Sequence, residues 1–204
     1  MLLAGLTGNY GMGKSTVLSL FRELGASTID ADSIVHLLFE EKEIAGKVKA
    51  LLGDGVANAD GSLNRDTIAG IIFSDETARQ SLEDLIHPFV FGRIQSRLDA
   101  LRRNQDVVII EIPLLYERGY ENRFDRTITV YADEETALRR LEAEGVDRQK
   151  ALLRLRSQLP VEEKLKRSDF SINNCGTIGK TQEQVKEIYK KLLREAKDGD
   201  NKRT

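Results

Sequence analysis

Apolar residues recur along this chain in two registers. Short runs rich in Val, Ile and Leu stand at 2–6, 107–112 and 126–131, with weaker runs at 27–29 and 170–172. Between them lie longer stretches whose apolar positions repeat every three or four residues, the spacing of one helix face. Residues 15–24 are such a stretch: Val17, Leu18, Leu20, Phe21 and Leu24 share a face, and Gly25 follows where a helix end favours glycine. β-runs alternating with helical stretches predict a parallel α/β sheet with helices on both faces. The run Val107-Val108-Ile109-Ile110 lacks polar alternation, so this strand is expected to be central and buried on both sides.

Two stretches exceed what a crossover needs. Residues from about 33 to 105 carry a mostly helical pattern, punctuated by a polar turn cluster at 58–62 and by the His87-Pro88 step. A second excursion, about 139–167, is helical and charged, with Arg139, Arg140, Arg148, Arg154, Arg156 and Arg167. A last helix is expected over 181–196, ahead of a polar tail at 197–204 expected to fray.

Composition narrows the function classes. Among 204 residues, 31 Lys+Arg oppose 33 Asp+Glu for a net charge of −2, which argues against a nucleic-acid partner. A lone cysteine, Cys175, excludes an intramolecular disulfide and suits a reducing compartment. One Cys and two His leave little from which to build a structural zinc site. The apolar start, residues 1–6, lacks a basic flank and is too short for a signal peptide. The best internal apolar run is too short to span a bilayer. The chain therefore reads as cytoplasmic with no membrane partner, and the sequence sets no oligomeric state.

Gly8-Asn9-Tyr10-Gly11-Met12-Gly13-Lys14-Ser15 fits G-x-x-x-x-G-K-[ST] at every fixed position. Chance alone brings these positions together in on the order of one chain in a hundred. The motif also lies directly after an apolar run and before an amphipathic helix, the context of a P-loop NTPase. Glycines let the backbone wrap a polyphosphate so that successive N–H groups point inward. The helix beginning near Lys14 adds its positive dipole end. Lys14 can reach the β- and γ-phosphates, and the Ser15 hydroxyl can ligate Mg²⁺. No Asn-Lys-x-Asp guanine-reading element is present, since Asn201-Lys202-Arg203-Thr204 breaks it, so ATP is the expected nucleotide.

Asp30-Ala31-Asp32 follows the second strand, at the strand end where open α/β sheets bind ligands. A carboxylate there can orient an attacking hydroxyl or accept its proton. Asp30 is assigned a capping or structural role and Asp32 the functional one.

The residues quoted so far, together with Leu63-Asn64-Arg65, His87-Pro88, Pro113-Leu114-Leu115-Tyr116-Glu117, Arg154 with Gln158, Ser168-Asp169 and Asn174-x-Gly176, resemble the dephospho-CoA kinase family across nearly the whole chain. The resemblance implies transfer of the ATP γ-phosphate to the ribose 3′-hydroxyl of dephospho-CoA. It also implies one domain over 1–204, with a helical CoA-binding insertion at about 33–105 and a lid at about 139–167. By it, Asp32 and Lys14 are the catalytic residues. Gly8, Gly11, Met12, Gly13, Lys14, Ser15, Thr16 and Arg140 would bind the nucleotide, Asp32, Arg65 and His87 the acceptor, and Ser15 the Mg²⁺ that accompanies ATP. Leu114 and Leu115 are read as packing.

Asn64 stands where the family usually has Asp, and Glu142-Ala143-Glu144-Gly145 where its lid usually carries a basic residue. Arg140, Arg148 or Arg154 would then supply the lid's contacts to ATP. Whether Glu111 or Glu117 assists the metal is open from sequence. Two other readings share the loop: a kinase for another small hydroxyl compound such as a nucleoside monophosphate, and a nucleotide-binding module without chemistry.

Overall fold

Five short strands pair side by side in parallel: β1 (Leu2–Thr7), β2 (Ser27–Asp30), β3 (Val107–Glu111), β4 (Arg126–Tyr131) and β5 (Phe170–Asn173), in the order β2-β3-β1-β4-β5. The computed structural model describes residues 1–101 and 105–201, with side chains as far as 198. Its helices are α1 (Lys14–Glu23), α2 (Ala31–Leu38), α3 (Lys42–Leu52), α4 (Arg65–Ser74), α5 (Glu76–Leu101), α6 (Glu134–Ala143), α7 (Arg148–Arg156), α8 (Val161–Arg167) and α9 (Ile178–Asn201). The chain forms two units, one of Met1–Asp30 with Arg102–Thr204 and one of Ala31–Leu101. Each is taken by itself.

In the first unit the registers Leu2↔Val107 and Ala4↔Arg126 set β1 between β3 and β4. All five residues of β3 are buried, as their unbroken apolar run requires. Alternate side chains of the sheet (Leu2, Ala4, Leu6, Ile109, Ile128, Val130 and Ile172) meet Val17, Leu18 and Phe21 of α1 and Val185, Ile188 and Leu192 of α9 in one core. Phe21 is fully enclosed, a contribution of about 1.5–3 kcal/mol relative to leaving it in water. On the opposite face, Gly5 leaves the space that Leu115 fills. A Cβ there would lie 2.6 Å from Leu115 Cδ1 and 3.0 Å from the Phe124 ring. Leu115 is thus packing, as expected. Because β1 lies between β3 and β4, the loop leaving its carboxyl end sits where the chain order reverses, the usual ligand position in such sheets.

The second unit is helical. Its polar cluster forms the expected turn: Asn58 N–H donates to Ser62 O at 2.8 Å, and an antiparallel bridge Ala57↔Leu63 closes it. Asn64 caps α4, its side chain accepting from Thr67 N–H at 3.0 Å. The His87-Pro88 step does not punctuate the helical pattern, contrary to expectation, because α5 runs through it from Glu76 to Leu101. The reason is the buried stripe Leu82, Ile86, Val90, Ile94 and Leu98, at four-residue spacing on both sides of Pro88. Burying that stripe offsets the lost backbone bond and the ring clash, about 3 kcal/mol together. Similarly, α9 extends beyond the expected 181–196 on both sides, while residues 202–204 of the expected tail lie outside the described residues. No helix among the described residues is long and apolar enough to cross a membrane.

Asn64→Ala should lower unfolding free energy by about 1 kcal/mol, the usual worth of such a cap. Asn64→Asp should leave it near the starting value, since Asp caps equally well. Urea titration of the three proteins measures the difference.

Candidate active site

The motif loop between β1 and α1 takes its shape from three glycines with positive φ: Gly8 at 152°, Gly11 at 75° and Gly13 at 83°. Each also faces a close neighbour. A Cβ on Gly8 would collide with Val130 O, one on Gly13 with Asn174 Nδ2, and one on Gly11 would lie 2.8 Å from Leu141 Cδ1 and 2.9 Å from Ala137 O. Conformation and space therefore both demand glycine here. Inside the loop, Asn9 O accepts from Met12 N–H at 3.3 Å and from the Lys14 ammonium at 3.4 Å. The first α1 bond runs from Val17 N–H to Gly13 O at 3.2 Å, so the turn Lys14–Thr16 precedes any helical acceptor. That turn carries no acidic residue. Its N–H groups and the dipole end suit an anion.

The loop is held from outside by residues far along the chain. Asn174 is buried, donates to Met12 O at 2.9 Å and accepts from Thr181 Oγ1 at 2.9 Å. Arg140 donates through Nη2 to Asn174 O at 2.7 Å. Its Nη1 is shielded, has no hydrogen-bond partner and lies 3.5 Å from where a Gly13 Cβ would be. Asn9 donates to Leu159 O at 3.1 Å, and Tyr10 N–H donates to Gln158 Oε1 at 2.7 Å. The Arg154 guanidinium lies 3.9 Å from the Tyr10 ring centroid, a cation–π contact. Of Arg140, Arg148 and Arg154, the first and the last thus meet the loop. Arg148 instead pairs with Glu135 at 2.7 Å and Glu142 at 3.0 Å. Glu144 is exposed at the end of α6.

Behind the loop, Lys164 is fully enclosed. Its ammonium lies 2.7 Å from Glu117 Oε1 and 3.4 Å from Pro113 O. Burial pushes its pKa below the ordinary lysine range; the Glu117 carboxylate opposes that shift and the nearby Lys14 charge adds to it. Lys164 carried no signal in the sequence, being one charge within a charged helix. Its role depends on Glu117, 47 positions earlier. Asn174 and Gln158 belong to quoted motif elements without a role, and Glu117 to one with only an open metal role; their contacts tie all three to the surroundings of the loop.

The remaining site residues belong to the second unit. Asp32 is exposed on the first turn of α2, two positions past Asp30, the last residue of β2 and the register partner of Glu111. Arg65 begins α4; its guanidinium meets the His36 ring and lies 4.0 Å from Glu40. His87 lies mid-helix on α5. Burial lowers its pKa against the opposing pull of Asp84, so near pH 7 it is a neutral hydrogen-bonding group rather than a cation. Arg65 also borders an open cavity of ≈ 650 Å³ within this unit, shared with Lys42, Lys49 and Asp60.

Among the described residues no cluster of His, Cys, Asp or Glu could by itself enclose a metal. The oxygens present are the exposed Ser15 hydroxyl on the first turn of α1 and the buried Glu111 carboxylate at the end of β3. This sparse, hard donor set fits Mg²⁺, which takes most of its ligands from phosphates and water.

Known proteins resemble this chain in sequence and in fold. The family model described as Dephospho-CoA kinase matches residues 2–180. A dephospho-CoA kinase of Aquifex aeolicus is 36% identical over 192 residues, 94% of this chain and 97% of that protein. One of Geobacter sulfurreducens is 37% identical over 194 residues, 94% of this chain and 98% of that protein. A Thermus thermophilus protein of known structure superposes with a TM-score of 0.81 at 36% identity, covering 95% of this chain and 97% of that one. The dephospho-CoA kinase of Campylobacter jejuni gives 0.67 at 27% identity, covering 95% and 98%. Shikimate kinase from Bacteroides thetaiotaomicron, at 16% identity and 0.51, shares the fold alone. With a glycine-shaped anion cradle on a β2-β3-β1-β4-β5 parallel sheet and relatives matching end to end, this chain belongs to the dephospho-CoA kinase family.

Proposed function

We propose that this chain phosphorylates dephospho-CoA at the ribose 3′-hydroxyl with ATP, giving CoA and ADP, and that the 8–15 loop is where the triphosphate lies. The observation that carries the reading is the cradle itself: three glycines that tolerate no side chain, Lys14 tied to the loop, and a shielded Arg140 Nη1 without a partner. A buried guanidinium N–H lacking an acceptor is costly, and a phosphate oxygen would satisfy it.

In this reading Gly8, Gly11, Met12 and Gly13 shape the cradle, and the N–H groups of Lys14, Ser15 and Thr16 cap the phosphates. Lys14 and Arg140 stabilise charge on the oxygens of the transferred group. The acceptor hydroxyl forms a bond to the γ-phosphorus as the bond to the ADP oxygen breaks. Asp32 orients that hydroxyl and takes its proton, a positioning task suited to an exposed carboxylate because the transition state is loose. Arg65 offers a forked pair of donors to acceptor phosphate, and neutral His87 a hydrogen bond to the acceptor. Ser15 would hold Mg²⁺, and Glu111 offers a second hard oxygen donor to it. Held there, the ion would supply charge neutralisation for the triphosphate.

Helices α6–α8 form the lid and α2–α5 the CoA-binding insertion. Closure of the lid excludes water that would otherwise hydrolyse ATP. Dependence on ATP and the single exposed thiol at Cys175 suit a cytoplasmic enzyme.

Lys14→Ala should reduce turnover by about 10²–10³, the cost of removing one preorganised donor. A near-normal rate in a coupled ADP assay would overturn its role. Asp32→Asn should suppress turnover while ATP still binds by calorimetry, and unchanged turnover would return Asp32 to helix capping. Arg65→Ala should raise KM for dephospho-CoA and leave KM for ATP alone. If both Michaelis constants stay put, Arg65 does not contact the acceptor.

A further inference from the structure

The cradle accounts for Lys14 and Arg140 but not for the enclosed Lys164 and its half-buried partner Glu117. Lys164 sits on α8 between Glu163 and Lys166, which pair with each other in solvent at 2.7 Å, yet its own side chain is wholly enclosed. An ammonium is a poor packing group, and hydrophobic side chains of similar volume serve that purpose as well or better. What the pair touches gives it a use.

Glu117 Oε1 accepts from Lys164 Nζ at 2.7 Å and also from Leu159 N–H at 3.1 Å. The other carboxylate oxygen, Oε2, is shielded and has no hydrogen-bond partner, so Oε1 carries the orientation of the group. Leu159 O then accepts from the Asn9 side chain at 3.1 Å, and adjacent Gln158 accepts from Tyr10 N–H at 2.7 Å. Asn9 O in turn accepts from Lys14 Nζ at 3.4 Å. These bonds form a continuous path from the enclosed pair, through the connection between α7 and α8, to the lysine of the cradle.

We propose that Lys164 is a positioning residue for phosphate binding: by fixing Glu117 it holds the 157–160 connection, which holds Asn9 and Tyr10, and through Asn9 it sets the reach of Lys14. Lys164 does not touch the substrate. Its enclosure keeps water from competing for Glu117 Oε1, so the path stays rigid while the outer face of the loop remains open to nucleotide. The inference rests on the reading of the 8–15 loop as the ATP site.

The test compares two double variants. Lys164→Met with Glu117→Met removes both charges and the link to Leu159. Lys164→Gln with Glu117→Gln removes the charges but keeps a hydrogen bond within the pair and an acceptor for Leu159 N–H. Thermal unfolding first establishes that each is folded. The Met pair should then raise KM for ATP by about ten- to hundredfold, the cost of misplacing a group that positions a site, with KM for dephospho-CoA unchanged. The Gln pair should recover most of that loss. Equal kinetics in the two folded doubles, or a Met pair with the original KM for ATP, would mean that Lys164 only supports the fold.

Gln158→Met disturbs no buried charge and cuts the same path at Tyr10. It should show the same selective rise in KM for ATP, and decides the matter if the Met pair does not fold; an unchanged KM overturns the proposal. Calorimetry with ATP on the original protein and on Lys14→Ala separates the two levels. No binding to the original protein defeats the cradle reading itself. Binding weakened by Lys14→Ala but unaffected by the 158 and 164 variants defeats only the positioning path.

Discussion

The constraint on which the first unit depends is the close seating of a left-handed glycine loop against three separate parts of the chain. Gly8 lies against the Val130 carbonyl of β4, Gly11 against Ala137 and Leu141 of α6, and Gly13 against Asn174 beyond β5. Any side chain at these positions would push the loop off its supports as well as strain its backbone. The shape of the loop is therefore a consequence of packing, since one side of it is already occupied by protein. This pre-organisation matters for phosphoryl transfer, where catalysis is mostly placement and charge stabilisation.

The polar contacts around the loop divide by burial into two kinds. Asn174 and Lys164 are enclosed and Glu117 is half-buried, and their contacts reach the loop from behind. Arg154 over Tyr10 and Arg148 among Glu135 and Glu142 are exposed. Exposed contacts of this kind contribute at most about 1 kcal/mol and re-form easily. Enclosed pairs cost several kcal/mol to break singly, which suits a fixed support. Arg140 stands between these groups: one nitrogen is bonded to Asn174 O and the other is held in reserve beside Gly13.

The second unit shows where local rules give way to tertiary ones. Pro88 obeys the rule that proline disrupts a helix only if nothing else favours continuation, and the stripe Leu82–Ile86–Val90–Ile94–Leu98 favours it strongly. Asn64, a departure from the family's usual Asp, is structurally neutral because either side chain caps α4. Arg65, beside it, lies at the start of the helix with its guanidinium turned to His36 and Glu40 of the same unit. All three side chains are exposed, so solvent already weakens these contacts.

What the sequence determined by itself was everything written at short range. The strand runs, the glycine spacing of 8–13, the capped α1 and the turn at 58–62 follow from periodicity and backbone preference, which neighbouring residues settle among themselves. Lys14 and Ser15 were legible for the same reason, since their place in the motif fixes their place on the helix. Lys164, Asn174 and the Leu159 contact were not, because their meaning lies in partners about 40 to 160 positions away, and no local pattern distinguishes an enclosed lysine from a solvated one. Only the tertiary structure, by enclosing Lys164 against a half-buried Glu117 and bringing 158–159 beside 9–10, tied an ordinary charged helix to the 8–15 loop.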